Sequence, residues 1–442
     1  MSCYFLAIKE HNKCFYMFER TAFSSGDRDM FFTEITDDLT GAVDSGSYFT
    51  GRGQRLRIYT SGSDVPNPCH GEIHSFNLSS RNVAKQLAGK LHYDLLSKMR
   101  ETKGEIFMKK IGTGFRGNDP YELEGLLKAR QDYVVFIIDN APELGTFTLY
   151  GNQYCEGEIL HKSLYANDPI YPPTDPYIPR ILAKDTQIPV GLVDIDVVKG
   201  GDIRRATAEE LDEGKKIIVF DAVTDKDTLK IISELMPVYD KVFWTGSLGI
   251  ANGLAEFLYG PRSICYKPQR RDIRCLCFSA SDYDIAKRQI EYSHSLGLKI
   301  VCADIDAYID GDGSIPFSAA ESAVEILREH NVIITPSVRK YSKKPGTNVK
   351  ILECIGTITK ILSGEDIMFD RLLIVGGETA QTIYKNLGVG QLELGLSLEP
   401  GVAEGHILDG IWGGKEFVMK GGSMGDVSVL EKMMCRRGDA NE

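Results

Sequence analysis

Short apolar runs alternate with segments of helical period along most of this chain, and no other feature limits its fold as strongly. Arg55–Thr60 reads as a strand, and residues 82–99 carry Val83, Leu87, Leu91, Leu95 and Leu96 at helical spacing. Glu105–Ile111 is strand-like, Pro120–Arg130 helical and Tyr133–Asp139 a buried strand. Lys215–Asp221, a helix over Lys226–Leu235, and Lys241–Thr245 continue the series. After a charged, proline-containing connector at Tyr266–Arg271 the series restarts. Strands are expected at Arg274–Phe278, Lys299–Asp304, Val332–Thr335 and Arg371–Val375, with helices at Ile285–Leu298 and Ala319–His330. This rhythm predicts an α/β protein of two domains, each a mainly parallel sheet with flanking helices. The boundary falls near residue 268, giving domains over 30–267 and 268–442. Residues 1–29, rich in Phe, Tyr and Lys without a period, read as an N-terminal appendage. Tyr165–Arg180 holds Pro169, Pro172, Pro173, Pro176 and Pro179. That spacing cannot support a helix interior, so an ordered loop or an excursion is expected there.

Bulk properties narrow the partners. Of 442 residues, 43% are hydrophobic and 26% charged, as in ordinary globular chains with sizeable cores. A net charge of −11 argues against nucleic acid and anionic membranes, which need clustered Lys and Arg. It leaves room for a small anionic substrate held by a few local cations. No apolar run is long enough to span a bilayer, and Met1–Ile8 is too short for a secretory segment. A cytoplasmic location is the expectation. The ten cysteines form no CxxC pair and no His follows at finger spacing, so they are expected as buried thiols and not as a metal site.

Several strand ends carry chemistry. Leu372-Leu-Ile-Val-Gly376-Gly377-Glu378-Thr379 runs from a strand through two glycines into a helix, a geometry in which backbone N–H groups approach a phosphate. Lys420-Gly421-Gly422-Ser423-Met424-Gly425 adds a cation beside a flexible loop, and Thr245-Gly246-Ser247-Leu248-Gly249 repeats the turn. No GxxxxGK[ST] occurs. Gly112-Thr113-Gly114-Phe115-Arg116-Gly117 spells GxGxxG, with Asp139 where a ribose-binding acid belongs, so a dehydrogenase using NAD is a competing reading. Asn118-Asp119-Pro120 counts against it, since a carboxylate there competes with phosphate for the positive helix end. Asp37-Asp38 at the end of the first strand, with Asp44 further on, suits a general base, a ligand of sugar hydroxyls or a holder of Mg2+. An N-cap role for Asp38 is the plainer alternative.

These residues together resemble the four-carbon acid sugar kinase family, over most of residues 30–432. Asp37-Asp38-Leu39-Thr40-Gly41-Ala42 is similar to the family's opening DDLTGA, and Lys109-Lys110-Ile111-Gly112-Thr113-Gly114-Phe115-Arg116-Gly117-Asn118 to its KKIDSTLRGN. Gly246–Ala251 resembles GSAGLA, Ser279-Ala280-Ser281 with Gln289 resembles SGS…Q, Gly376–Ala380 resembles GGDTA, and Lys420–Gly425 resembles KSGGFG. The resemblance implies an acid-binding domain over 30–267 and an ATP-binding domain over 268–442, with the active site in the interdomain cleft. Asp37 and Asp38 would be catalytic, and Asp38, Lys110, Arg116 and Gly117 would bind the acid, Arg116 through its planar fork. Ser279, Ser281, Gly376, Gly377, Glu378, Thr379, Lys420, Gly421 and Gly422 would hold ATP, with Mg2+ alongside. A symmetric homodimer is the default assembly.

Departures from the pattern occur in both halves, and those that lose an acid and an Arg fall in the acid-binding half. Gly112 and Gly114 stand where the family carries Asp and Thr, and Thr146 where it usually carries Arg. Asp282, Tyr283, Ala286 and Glu378 also differ. Two readings follow: a kinase whose pocket accepts another small hydroxy-acid, or a non-catalytic relative that binds nucleotide or metabolite.

Overall fold

The computed structural model describes residues 31–60, 65–66, 71–168, 172–264, 268–269, 273–336 and 346–437. The expected appendage at 1–29 and most of the 266–271 connector lie outside the described residues. Valine- and isoleucine-rich runs form strands buried on both faces, as covered parallel sheets require. The first half contributes β1 (Phe31–Thr36), β2 (Arg55–Tyr59), β3 (Glu72–Asn77), β4 (Glu105–Lys110) and β5 (Val134–Ile138). A side sheet of β6 (Thr146–Leu149), β7 (Asn152–Cys155) and β8 (Glu158–Ile159) follows, then β9 (Val190–Val193), β10 (Ile217–Phe220) and β11 (Val242–Gly246). The second half holds β12 (Pro268–Gln269), β13 (Cys275–Ser279), β14 (Lys299–Cys302), β15 (Val332–Thr335), β16 (Arg371–Val375), β17 (Gln391–Glu399), β18 (Val402–Ile407), β19 (Glu416–Lys420) and β20 (Arg436–Arg437). Helices α1 (Leu39–Thr50), α2 (Lys85–Lys98) and α3 (Asp119–Ala129) flank the strands that matter most for the site.

Both expected parallel sheets are present, and the pairing joins them edge to edge into one. One 15-stranded sheet runs β14-β15-β13-β16-β19-β18-β17-β2-β3-β1-β4-β11-β5-β10-β9. Its parallel blocks meet through the antiparallel hairpin β17–β18, because β17 pairs antiparallel with β2 of the first half. The hairpin had a sequence signal: Leu392, Leu394 and Leu396 alternate and are buried on one face. The core is correspondingly continuous, one cluster reaching from Phe32 and Leu39 through Leu394 to Ile374 and Phe417.

The reversal at the hairpin makes the two parallel blocks run in opposite senses. Sheet twist compensates. At about 20–25° per strand, the steps β1–β3–β2–β17–β18–β19–β16 accumulate roughly 120–150°, which swings the two carboxyl edges toward one another. The proline-rich stretch expected as an excursion begins with a short 3-10 turn, Leu164–Asn167, and ends in the helix Ile178–Asp185, whose first turn accepts Pro179. Among the described cysteines, Cys155, Cys275, Cys277, Cys354 and Cys435 are buried free thiols and Cys302 is exposed. No helix among the described residues is long and apolar enough to cross a membrane.

Candidate active site

Three neighbouring parallel strands of the first half end together, with Thr36 of β1 opposite Asn77 of β3 and Lys110 of β4. Asp37 and Asp38 follow Thr36 directly. Asp37 is buried, and both its oxygens are taken by the Arg81 fork, Nε donating at 2.7 Å and Nη2 at 3.0 Å. Burial alone would raise this carboxyl, but the Arg81 guanidinium and then Lys109 outweigh it and hold Asp37 far below the usual range. Asp38 caps α1, accepting from the Gly41 N–H at 2.8 Å, the Thr40 hydroxyl, and Arg81 Nη1 at 2.9 Å. Capping is therefore real, and the same carboxylate also faces its neighbours' polar groups.

Strand alternation sends the two lysines of β4 to opposite faces. Lys109 is fully buried against Glu122 of α3 at 2.7 Å. Lys110 donates to the Ile111 carbonyl at 2.8 Å, and a Cβ built on Gly41 would lie 2.5 Å from Asp38 Oδ1 and 3.5 Å from Lys110 Nζ. Lys110 and Asp38 thus flank one point at the start of α1. Burial pushes the nearby Asp44 up to about 7; Lys110 pulls it down, and Asp38 and Glu143 add to the rise. Gly117 packs against the Asp37–Arg81 pair, its Cβ position 3.5 Å from Arg81 Cγ and 3.6 Å from Asp37 Oδ2. Arg116 is engaged nearby: it donates to the Thr113 carbonyl at 2.9 Å, pairs with Asp168 at 3.3 Å and lies over the Tyr165 ring. Gly112 adjoins the same pair, with a Cβ position 3.4 Å from Arg81 Nη2.

Arg81 and Asn118 are the residues sequence reasoning passed over. The Asn118 amide donates to the carbonyls of Ser80, Arg81 and Val83, which fixes the loop carrying Arg81. The available signal was position, since Arg81 lies just past the carboxyl end of a strand.

The second half repeats the geometry. Ser279 stands opposite Val375, and Val375 opposite Lys420, so β13, β16 and β19 end side by side. They deliver Ser279 and Ser281, Gly376–Thr379, and Lys420–Gly422 to one edge. Gly376 has φ +103°, a conformation that glycine adopts without strain, and opens the helix Gly377–Leu387. Ser279 and Thr379 are buried, and the Ser281 hydroxyl donates to the Gly422 carbonyl at 3.3 Å, tying two of the turns. The Lys420 ammonium is buried among carbonyls of the following loop.

The two edges touch. A Cβ on Gly377 would lie 3.1 Å from Thr40 Oγ1 and 3.7 Å from Asp38 Oδ2. Asn82 Nδ2 donates to Glu378 Oε1 at 2.8 Å, and Asn77 Nδ2 to Gln381 Oε1 at 3.0 Å. A groove of about 610 Å³, lined in part by Asn77, Ser79, Lys98, Gln381 and Lys385, lies beside this contact and includes none of the candidate catalytic, acid-binding or ATP-binding residues.

The residues of the dinucleotide reading are otherwise occupied. Asp139 is buried and accepts from the Ser247 N–H at 3.0 Å and from Gln153. Asp119 and Glu122 fill the first turn of α3, both buried, where a pyrophosphate would need positive charge. The Gly246–Gly249 turn is a close-packing device: a Cβ on Gly249 would sit 1.9 Å from Asn140 Oδ1.

Two family models match the chain in succession. Residues 33–254 match the family described as "Sugar-binding N-terminal domain", and residues 276–430 match "Nucleotide-binding C-terminal domain". A D-threonate kinase of Salmonella typhimurium is 25% identical over 91% of this chain and 98% of its own length. A 3-oxo-tetronate kinase of Pseudomonas fluorescens is 26% identical over 83% of this chain and 88% of its own. Among solved structures, one from Salmonella typhimurium superposes with a TM-score of 0.74 at 19% identity, covering 91% of this chain and 98% of that one. One from Haemophilus influenzae gives 0.67 at 19% identity with the same coverage. The fold, the ordered motifs and both matched domains lead to one conclusion: the chain belongs to the four-carbon acid sugar kinase family.

Proposed function

We propose that this protein uses ATP to phosphorylate a hydroxyl of a small sugar acid or hydroxy-acid, with the acid on the 30–267 side and ATP on the 268–442 side. The observation that carries the reading is the approach of Gly377 to Asp38, within 3.7 Å of a Cβ position. Phosphoryl transfer needs acceptor and donor in line, and the protein's part is mostly placement and charge compensation.

Asp38 is the carboxylate at the contact and the one suited to orient the acceptor hydroxyl. Asp37, locked by Arg81, serves as the anchor of that guanidinium. Arg81, Lys110 and Arg116 supply the cations for an anionic acid, with Gly117 allowing close approach. The Gly376–Thr379 turn, Ser279, Ser281 and the Gly421–Gly422 loop offer N–H and hydroxyl donors to ATP phosphates. Among the described residues no group of three His, Cys, Asp or Glu could hold a metal. This fits Mg2+ arriving on ATP, ligated largely by phosphate and water. Glu378 is the carboxylate at the turn available to it, and the ion's contribution is to offset charge on the transferring group. Dependence on ATP supports a cytoplasmic location.

The test is incubation with Mg-ATP and, in turn, D-threonate, D-erythronate and 3-oxo-tetronate, with products identified by mass spectrometry. A phosphorylated acid with stoichiometric ADP supports the reading. ATP binding without phosphorylation of any hydroxy-acid offered would favour the non-catalytic relative.

A further inference from the structure

The Lys420 side chain does not project into open space beside the glycine loop. It is 1% exposed, and its ammonium donates to the carbonyls of Gly421 at 2.8 Å, Met424 at 3.0 Å and Gly422 at 3.5 Å. Gln289, fully buried on the helix Asp284–Ser295, approaches the same loop and donates to the carbonyls of Met424 at 3.1 Å, Gly425 at 3.0 Å and Asp426 at 2.9 Å. Ser281 adds a bond to Gly422. Every carbonyl from Gly421 to Asp426 except that of Ser423 is thereby drawn toward a buried donor. The N–H groups of Gly422, Ser423 and Gly425 keep no partner among the described residues. Peptide units whose oxygens are held on one side present their N–H dipoles to the other, and successive free N–H groups make a concavity for anions.

We infer that Lys420 and Gln289 are positioning residues that hold the Gly421–Asp426 loop with its N–H groups turned toward the nucleotide phosphates, Lys420 acting through the loop and not as a phosphate ligand. The inference rests on the kinase reading. Three ammonium protons match three carbonyls, so the donors of Lys420 are all engaged inside the loop. Burial pushes this ammonium down to about 8, with Glu399 working against the fall, as expected of a cation whose shell is neutral oxygen. Gln289 reaches only carbonyls of the loop, so its loss cannot remove a phosphate contact of its own.

The experiment measures the Mg-ATP dissociation constant by calorimetry, and the KM for ATP and for the acid, in wild type, Lys420→Met, Lys420→Arg and Gln289→Ala. The inference predicts that Lys420→Met and Gln289→Ala each weaken ATP at least about tenfold, while the KM for the acid stays within about twofold. Lys420→Arg should restore part of the affinity, because its donors can reach some of the same carbonyls. ATP affinity unchanged in Gln289→Ala overturns the inference; if Lys420→Met still weakens ATP, Lys420 returns to the role of direct ligand, and if it does not, the loop needs neither residue. If Lys420→Met does not fold, Gln289→Ala and Lys420→Arg decide by the same split between ATP and acid. Wild type that shows no Mg-ATP binding overturns the kinase reading itself, an outcome distinguishable from the others.

Discussion

Adjacent aspartates at the end of β1 take on different work because strand geometry points them differently. Asp37 turns inward to the Arg81 fork, and Asp38 turns to the start of α1 and the Gly377 contact. Arg81→Lys keeps the charge but loses the fork, so kcat/KM for the acid should fall about 10- to 100-fold with the ATP KM little changed, as steady-state kinetics would report. A second prediction concerns Glu34, buried beneath α1 and bonded to Ser45. Burial raises it from 4.5 to about 7, against the Ser45 hydrogen bond and the charges of Lys110 and Lys109. The folded state therefore binds this proton more tightly, and its contribution to stability is present below about 4.5 and lost as pH rises through about 7. Thermal melts from pH 4.5 to 7.5 should show Glu34→Gln gaining on wild type as pH rises, by up to about 3 kcal/mol. A parallel pair of curves would refute the assignment. At this scale Asp37, Asp38, Lys110 and the glycine turns were legible because each sits in a compact motif beside an apolar run. Arg81 was not, because β3 buries His74, Ser75 and Asn77 and so does not read as a strand.

Elements were recovered where local chemistry decides their limits. β15 and β16 fall where the apolar runs place them, since both are buried throughout. Helix ends moved for identifiable reasons. The helix expected at Ala319–His330 begins at Ile315 because Pro316 suits a first turn, and the one expected to reach Leu298 ends at Ser295, ahead of Gly297 at φ +110°. The hairpin β17–β18 does not stand out in the sequence although its leucines alternate, because a hairpin at the seam belongs to neither series of βα units. Leu394 of β17 is 4% exposed and packs against α1, where a Cβ on Gly46 would come within 2.6 Å of it. Leu394→Ala should cost about 2–5 kcal/mol in chemical denaturation. A loss below about 1 kcal/mol would mean that the hairpin is not a structural seam.

Over the whole molecule, the sheet and its largest core cluster cross from one half to the other without a break. Calorimetric unfolding should accordingly show one transition, and two resolved peaks would contradict a shared core. The same continuity brings Asp38 and Thr40 of the first half to Gly377 of the second; the family resemblance implies a shared cleft, but no apolar run or spacing carries it, because twist accumulated over many strands has no local signature. Phosphoryl transfer is proposed to occur where Asp38 meets the Gly377 turn. Its most direct test is the initial rate of acid-dependent ADP formation at saturating Mg-ATP, in wild type and in Asp38→Asn. The substitution should lower this rate about 10²- to 10⁴-fold and leave Mg-ATP affinity within about threefold. Equal rates in the two proteins would contradict it.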